Sequence, residues 1–172
     1  MKLQTDPKVV AKLAEEREEA NWRFRSFLKG IDLKIEDLDA IVHKYYEDVA
    51  SQIDCCTCGN CCRQILPTLD DADVTRLAAG IGATPDKVVK QYLTRDEDND
   101  LIFNRRPCPF LVGNRCRVYE HRPETCRSYP HLQKDEFVFR LAQAVSNCSI
   151  CPISFNVYER LKADLWHRPE DV

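Results

Sequence analysis

The sequence has no apolar run approaching the roughly 20 residues that a membrane-spanning helix needs. Its first residues, Met1 to Glu19, carry Lys2, Asp6, Lys8 and Lys12 where a signal peptide would carry an uninterrupted apolar stretch. Both absences lead us to expect a soluble chain in the cytoplasm. Charge of one sign is lacking too: 25 Lys and Arg stand against 28 Asp and Glu, a formal net charge of -3. Mixed along the chain, these exert no general pull toward nucleic acid or anionic lipid, and neither is expected as a partner. Glycine is scarce, five residues in 172, and forms no phosphate-binding loop. A nucleophile-elbow pattern is missing as well, and the acidic residues show no pairing that the sequence alone reveals. No catalytic residue and no protein partner is therefore assigned. No internal repeat, low-complexity segment or linker divides the chain, and with 44% hydrophobic residues it can build one domain with its own core.

What the sequence has in quantity is cysteine, ten residues in all. In an oxidising compartment these would suggest disulfides; in a reducing one the same pattern points to metal or redox chemistry. Cys55, Cys56, Cys58, Cys61 and Cys62 fall within eight residues, a crowding that would strain mutual disulfides and that metal tolerates.

Periodicity predicts a helix over 8–28, with Val10, Leu13, Ala20, Phe24 and Phe27 on one stripe. A second, carrying Leu38, Ile41, Val42, Tyr45, Val49 and Ile53, delivers the chain to the cysteines. Thr68 and Asp71 have the spacing of a capping box opening a short helix that Gly80 would end. Thr84 and Pro85 read as N-cap and first turn of another helix, through Leu93. The acidic stretch from Arg95 to Asp100 reads as a loop, Leu101 to Phe103 as a strand, and Cys108 to Tyr119 as a hairpin turning at Gly113-Asn114. That hairpin would bring Cys108 and Cys116 together. Pro123 starts a helical turn bearing Cys126, Phe137 to Val145 fits strand or helix, and Pro152 opens a last helix. The sum is an α+β fold: a mainly helical single domain over 1–172 with a small β-hairpin and irregular loops stapled by a multinuclear cysteine-metal site. Within it, residues 1–54 form a helical N-terminal region, residues 55–151 a cysteine-cluster region that binds metal, and residues 152–172 a C-terminal helix.

Cys55-x-x-Cys58-x-x-Cys61-Cys62 puts four thiols in one loop, with Gly59 supplying the backbone freedom to turn sulfurs inward. Cys148-x-x-Cys151 repeats the two-residue spacing at which both sulfurs reach one metal. Cys108, Cys116 and Cys126, in polar, turn-rich settings, bring the ligand candidates to nine. Arg63, Arg115, Arg117 and Arg127 adjoin cysteines and would either offset thiolate charge or serve as ordinary surface charges and carboxylate partners. His121 and His131 lie inside the region and are alternative donors; His43, alone on its helix, is not taken as one.

These motifs resemble those of the YkgJ-type cysteine-cluster family, whose pattern CxxCxxCC is matched by Cys55, Cys58, Cys61 and Cys62. The likeness continues through Cys58-Gly59-Asn60-Cys61-Cys62-Arg63, Cys108-Pro109-Phe110-Leu111, Cys116 with Val118-Tyr119, Arg122-Pro123 with Cys126-Arg127, and Tyr129-Pro130. The resemblance implies zinc or iron bound by cysteine. Cys56 occupies one of the pattern's variable positions and is set aside. A flagellin lysine methylase is similar through the same cysteines, which keeps an enzymatic reading open. Two tetrahedral zinc sites or two four-iron clusters would use eight thiolates, and nine would serve three divalent ions, more than one in either case, if some sulfurs bridge. The spacing Cys55-x-x-Cys58-x-x-Cys61 with Cys108-Pro109 or Cys151-Pro152 resembles ferredoxin ligation, so an iron-sulfur cluster stands as the alternative to separate zinc or iron ions.

Overall fold

The structure, a computed structural model, describes residues 2–166. In chain order it contains helices α1 (Pro7–Glu16), α2 (Glu18–Gly30) and α3 (Ile35–Ala50), then the single turns α4 (Cys55–Cys58) and α5 (Cys61–Gln64). There follow strand β1 (Thr68–Leu69), helices α6 (Asp71–Ile81) and α7 (Pro85–Tyr92), and strands β2 (Leu93–Arg95), β3 (Leu101–Phe103), β4 (Leu111–Val112) and β5 (Arg115–Cys116). The chain ends with α8 (Glu124–Ser128), α9 (Leu141–Cys148) and α10 (Pro152–Leu165), with 3-10 turns at Tyr119–His121 and Phe137–Arg140. The fold is thus mainly helical with two small antiparallel sheets. Among the described residues no helix is long and apolar enough to cross a membrane. Residues 167–172 of the expected C-terminal helix lie outside the described residues.

The chain separates into two compact units. The first comprises residues up to Asp54 together with those from Pro130 onward; the second runs from Cys55 to Tyr129. The boundary at Cys55 is where the expected cysteine region opens.

In the first unit α10 packs on α3 and α9, and α1 and α2 close over them. Its core includes Val10, Phe24, Leu28, Val42, Leu141, Val157 and Leu161, with the Tyr158 ring edge-on to Phe24 at 5.3 Å. The single helix predicted over 8–28 is two. At Arg17 the backbone leaves the helical region (φ -108°, ψ 11°), while its guanidinium bonds Glu159 at 2.6 Å and lies over the Phe155 ring. That anchoring is tertiary, so periodicity carries no trace of it. Buried Asp39 accepts the backbone N–H of Glu136 (2.6 Å) and of Phe137 (2.9 Å), capping the start of the 3-10 turn. The ambiguous stretch Phe137 to Val145 is therefore helical, first as this turn and then as α9.

The second unit has its own apolar core, with Leu69, Val74, Leu77, Val88, Phe103, Phe110 and Val118 among its buried side chains. The three-stranded sheet has the order β1-β3-β2, pairing Thr68 with Ile102 and Leu93 with Phe103. Leu101 to Phe103 is thus the central strand. The capping box sits two residues later than expected: Asp70 accepts the N–H of Asp73 at 2.7 Å, and the Asp73 carboxylate faces the N–H of Asp70. Thr68 is unavailable for capping because its backbone pairs in the sheet. Gly80 stays within α6, and Gly82, in the left-handed conformation (φ 65°), ends it. Thr84 caps α7 and Pro85 fills its first turn as predicted. The hairpin β4–β5 pairs Leu111 with Cys116 around Gly113-Asn114.

Candidate metal centre

All ten cysteines are thiols, and eight of them belong to the second unit. Cys55 to Cys58 form one helical turn and Cys61 to Gln64 another, and between them Gly59 reverses the chain at φ 60°. A Cβ on Gly59 would fall 2.9 Å from the Asn114 carbonyl oxygen and 3.1 Å from Asn114 Cα, so glycine is needed for space as well as for torsion.

Arg63 fastens this loop to the hairpin tip. One guanidinium nitrogen donates to the carbonyls of Gly59 (2.8 Å) and Cys58 (3.3 Å), and the other to Gly113 O (2.8 Å) and Asn114 Oδ1 (2.6 Å). Asn114 Nδ2 completes the circuit by donating to Thr57 O at 2.7 Å. Among the described residues the Arg63 hydrogen bonds go to backbone and amide oxygens, so it is not an ordinary solvated surface charge.

The remaining thiols arrive on one loop and two separate elements. Cys108 is held by its N–H donating to Cys62 O at 2.8 Å, Cys116 lies on β5, and Cys126 on α8. The α8 turn is placed by Asp73, which accepts the N–H of Glu124 (2.9 Å), and by Thr125 Oγ1, which donates to Thr68 O (3.2 Å). All six pairs among Cys62, Cys108, Cys116 and Cys126 lie within electrostatic reach of each other. Cys108 and Cys116 are neighbours, as the hairpin reading required.

The thiols of this group are not equivalent. A hydrogen bond from Cys61, assisted by Arg122 and Arg63 and opposed by burial, lowers Cys62 to about 7. Burial raises Cys108 to about 11 and Cys126 to about 12, and raises Cys116 as well. Arg122 favours the thiolate at Cys62, Cys116 and Cys126 together. It is itself fixed by stacking over the Tyr119 ring at 3.4 Å and by donating from Nε to Tyr119 O at 2.7 Å. Sequence reasoning missed Arg122 as the shared cation because it adjoins no cysteine. Arg117, which does adjoin one, lies over the Phe110 ring. His121 packs against Gly80, where a Cβ would come within 2.6 Å of its ring.

Of the remaining candidates, Cys148, Cys151 and His131 belong to the first unit. Cys148 is buried on α9 and donates its thiol proton to Ala144 O at 3.2 Å, and burial raises its pKa. Cys151 is buried at the N-terminus of α10. His131 has a left-handed backbone (φ 67°) and is largely buried.

The donor chemistry suits zinc or iron: four thiols is the ligand number of a tetrahedral zinc site or of one iron-sulfur cluster. The cage itself is not closed. Among the described residues no group of three or more His, Cys, Asp or Glu side chains is arranged to hold an ion, so the multinuclear staple expected from the sequence is represented by gathered thiols and not by a formed site. No curated protein and no solved structure matches the chain. A family model, CxxCxxCC, described as "Putative zinc- or iron-chelating domain", matches residues 54–152, more than half of the 172 residues, and the chain belongs to that family.

Proposed function

We propose that the protein binds more than one zinc or iron ion through cysteine thiolates, in the reducing environment of the cytoplasm, with Cys62, Cys108, Cys116 and Cys126 as the central ligand group. The observation that carries this is the mutual electrostatic reach of these four thiols, drawn from four separate segments of the chain. Cys55, Cys58 and Cys61 are proposed as ligands from the adjoining loop, and Cys148 and Cys151 on their spacing. A bound zinc or iron ion would supply a fixed cationic centre with strongly bound thiolate ligands. The chain's own contribution is to gather the sulfurs, set the loop with Gly59 and Arg63, and offset thiolate charge with Arg122.

The ferredoxin-like spacing from Cys55 to Cys61 supports a second reading, an iron-sulfur redox protein or cluster-dependent enzyme. Metal analysis with absorption spectroscopy on protein purified without air tests both. Bound zinc or iron with sulfur-to-metal charge transfer supports the first reading, and brown, oxygen-sensitive protein containing inorganic sulfide selects the second. Protein that takes up neither metal would reject both.

A further inference from the structure

The family pattern leaves Cys56 unassigned, yet it lies beside the gathered thiols. The α4 turn that carries it packs against β5, the strand of Cys116, and is held there by the bond from Asn114 Nδ2 to Thr57 O at 2.7 Å. The half-buried sulfur of Cys56 lies within electrostatic reach of Cys116 and accepts a hydrogen bond from the Tyr119 hydroxyl. Tyr119 is in turn the ring on which Arg122 stacks at 3.4 Å. Cys56 is therefore tied on one side to the four-thiol group, through Cys116, and on the other to a hydroxyl donor backed by a guanidinium. Metal-bound thiolates are steadied by this kind of donor.

We propose that Cys56 is a tenth metal ligand, which would act beside Cys116 and the four-thiol group with the Tyr119 hydroxyl supporting its sulfur from outside. The inference rests on the chelating function proposed above. Cys56 would add a donor to those that its own loop offers, Cys55, Cys58 and Cys61. Each thiol that binds gives up its proton to solvent, and nothing is oxidised or reduced.

The test uses the full chain, loaded with cobalt(II) under anaerobic conditions as a spectroscopic stand-in for zinc. In the unmodified protein, cobalt loading is expected to slow alkylation of Cys56 by iodoacetamide on the order of tenfold or more, in step with Cys62, as ligation withdraws the thiolate from solution. In Cys56→Ser, which keeps an acceptor for the Tyr119 hydroxyl, the sulfur-to-cobalt charge-transfer intensity at saturation should fall and the last ion should bind at least about tenfold more weakly. Tyr119→Phe should keep the full cobalt count with weakened affinity for that ion. The proposal is overturned if Cys56 is alkylated equally fast with and without cobalt, a measurement that needs no variant to fold. It is also overturned if Cys56→Ser matches the unmodified protein in cobalt count, charge-transfer intensity and affinity. Failure of the unmodified protein to bind cobalt, zinc or iron at all would instead overturn the chelating function itself, and this inference with it.

Discussion

Gly59 and Gly82 form a matched pair for testing what holds the cysteine loop. Both belong to the second unit, and both have left-handed backbones, φ 60° and φ 65°. An alanine at either position loses roughly 1–2 kcal/mol to that conformation. At Gly82 nothing lies within 4 Å of the added Cβ, so the conformational cost is the whole effect. At Gly59 the Cβ would meet the Asn114 carbonyl oxygen at 2.9 Å, Asn114 Cα at 3.1 Å and an Arg63 nitrogen at 2.9 Å. The arginine can bend away, but the Asn114 backbone sits in a two-residue turn anchored to Arg63 and Thr57. Displacing it adds about 1–3 kcal/mol, as overpacking of a fitted contact does. Gly59→Ala should therefore exceed Gly82→Ala by about that amount when the two are compared by urea denaturation in the presence of a chelator. Cobalt(II) affinity measured by chelator competition should change far less than stability does, since the contact is made with and without metal and its cost cancels in the binding equilibrium. Equal destabilisation by the two substitutions would refute the argument that the loop is pressed against the hairpin tip.

Arg63→Lys should not rescue Arg63→Met, because a point ammonium cannot span the four oxygens that the planar fork reaches. Both variants should increase amide hydrogen exchange at Gly113 and Asn114, and protection unchanged from the unmodified chain would count against the strap. Metal affinity should rise with pH, since burial holds protons on Cys108, Cys116 and Cys126 that an ion must displace. With Cys62 lowered to about 7, one ion bound by the four thiols should release about four protons at pH 6 and about three at pH 8. Calorimetry in buffers of different ionisation enthalpy reads this number, and release of no protons would exclude these thiols as ligands. In the first unit, Asp39→Ala removes both carboxylate hydrogen bonds to Glu136 and Phe137. A loss of about 3–5 kcal/mol is expected from two charge-assisted bonds at a buried site, and a melting temperature within a degree of the parent would contradict it.

Features set by local chemistry were legible in the sequence. The Thr84-Pro85 helix start, the glycine hairpin, the turn bearing Cys126 and the helix after Pro152 each depend on residues a few positions apart, and each is found where expected. Features set by distant partners were not. Thr68 resembled a helix cap until its pairing with Ile102 took it into a sheet, and Arg17 interrupts a periodic helix in order to meet Glu159. The same division runs through the candidate site. The motif Cys55-x-x-Cys58-x-x-Cys61-Cys62 announces itself by spacing, whereas the grouping of Cys62 with Cys108, Cys116 and Cys126 depends on β5, α8 and a backbone bond across 46 positions of sequence. Arg122 escaped notice for the same reason, since its role comes from the turn that stacks it on Tyr119.

The Arg63 strap bears on how quickly an ion can be captured. A loop fastened by guanidinium-to-carbonyl bonds, inside a unit with its own apolar core, has lost much of its chain entropy before any metal arrives. In small metal-dependent folds some of the binding free energy goes into ordering the chain, and loading is slowed by that search. Here the ordering is carried by arginine, asparagine and glycine. An ion arriving there would meet a loop already ordered, leaving the closing of the sulfurs around it as the conformational step beside the shedding of water and protons.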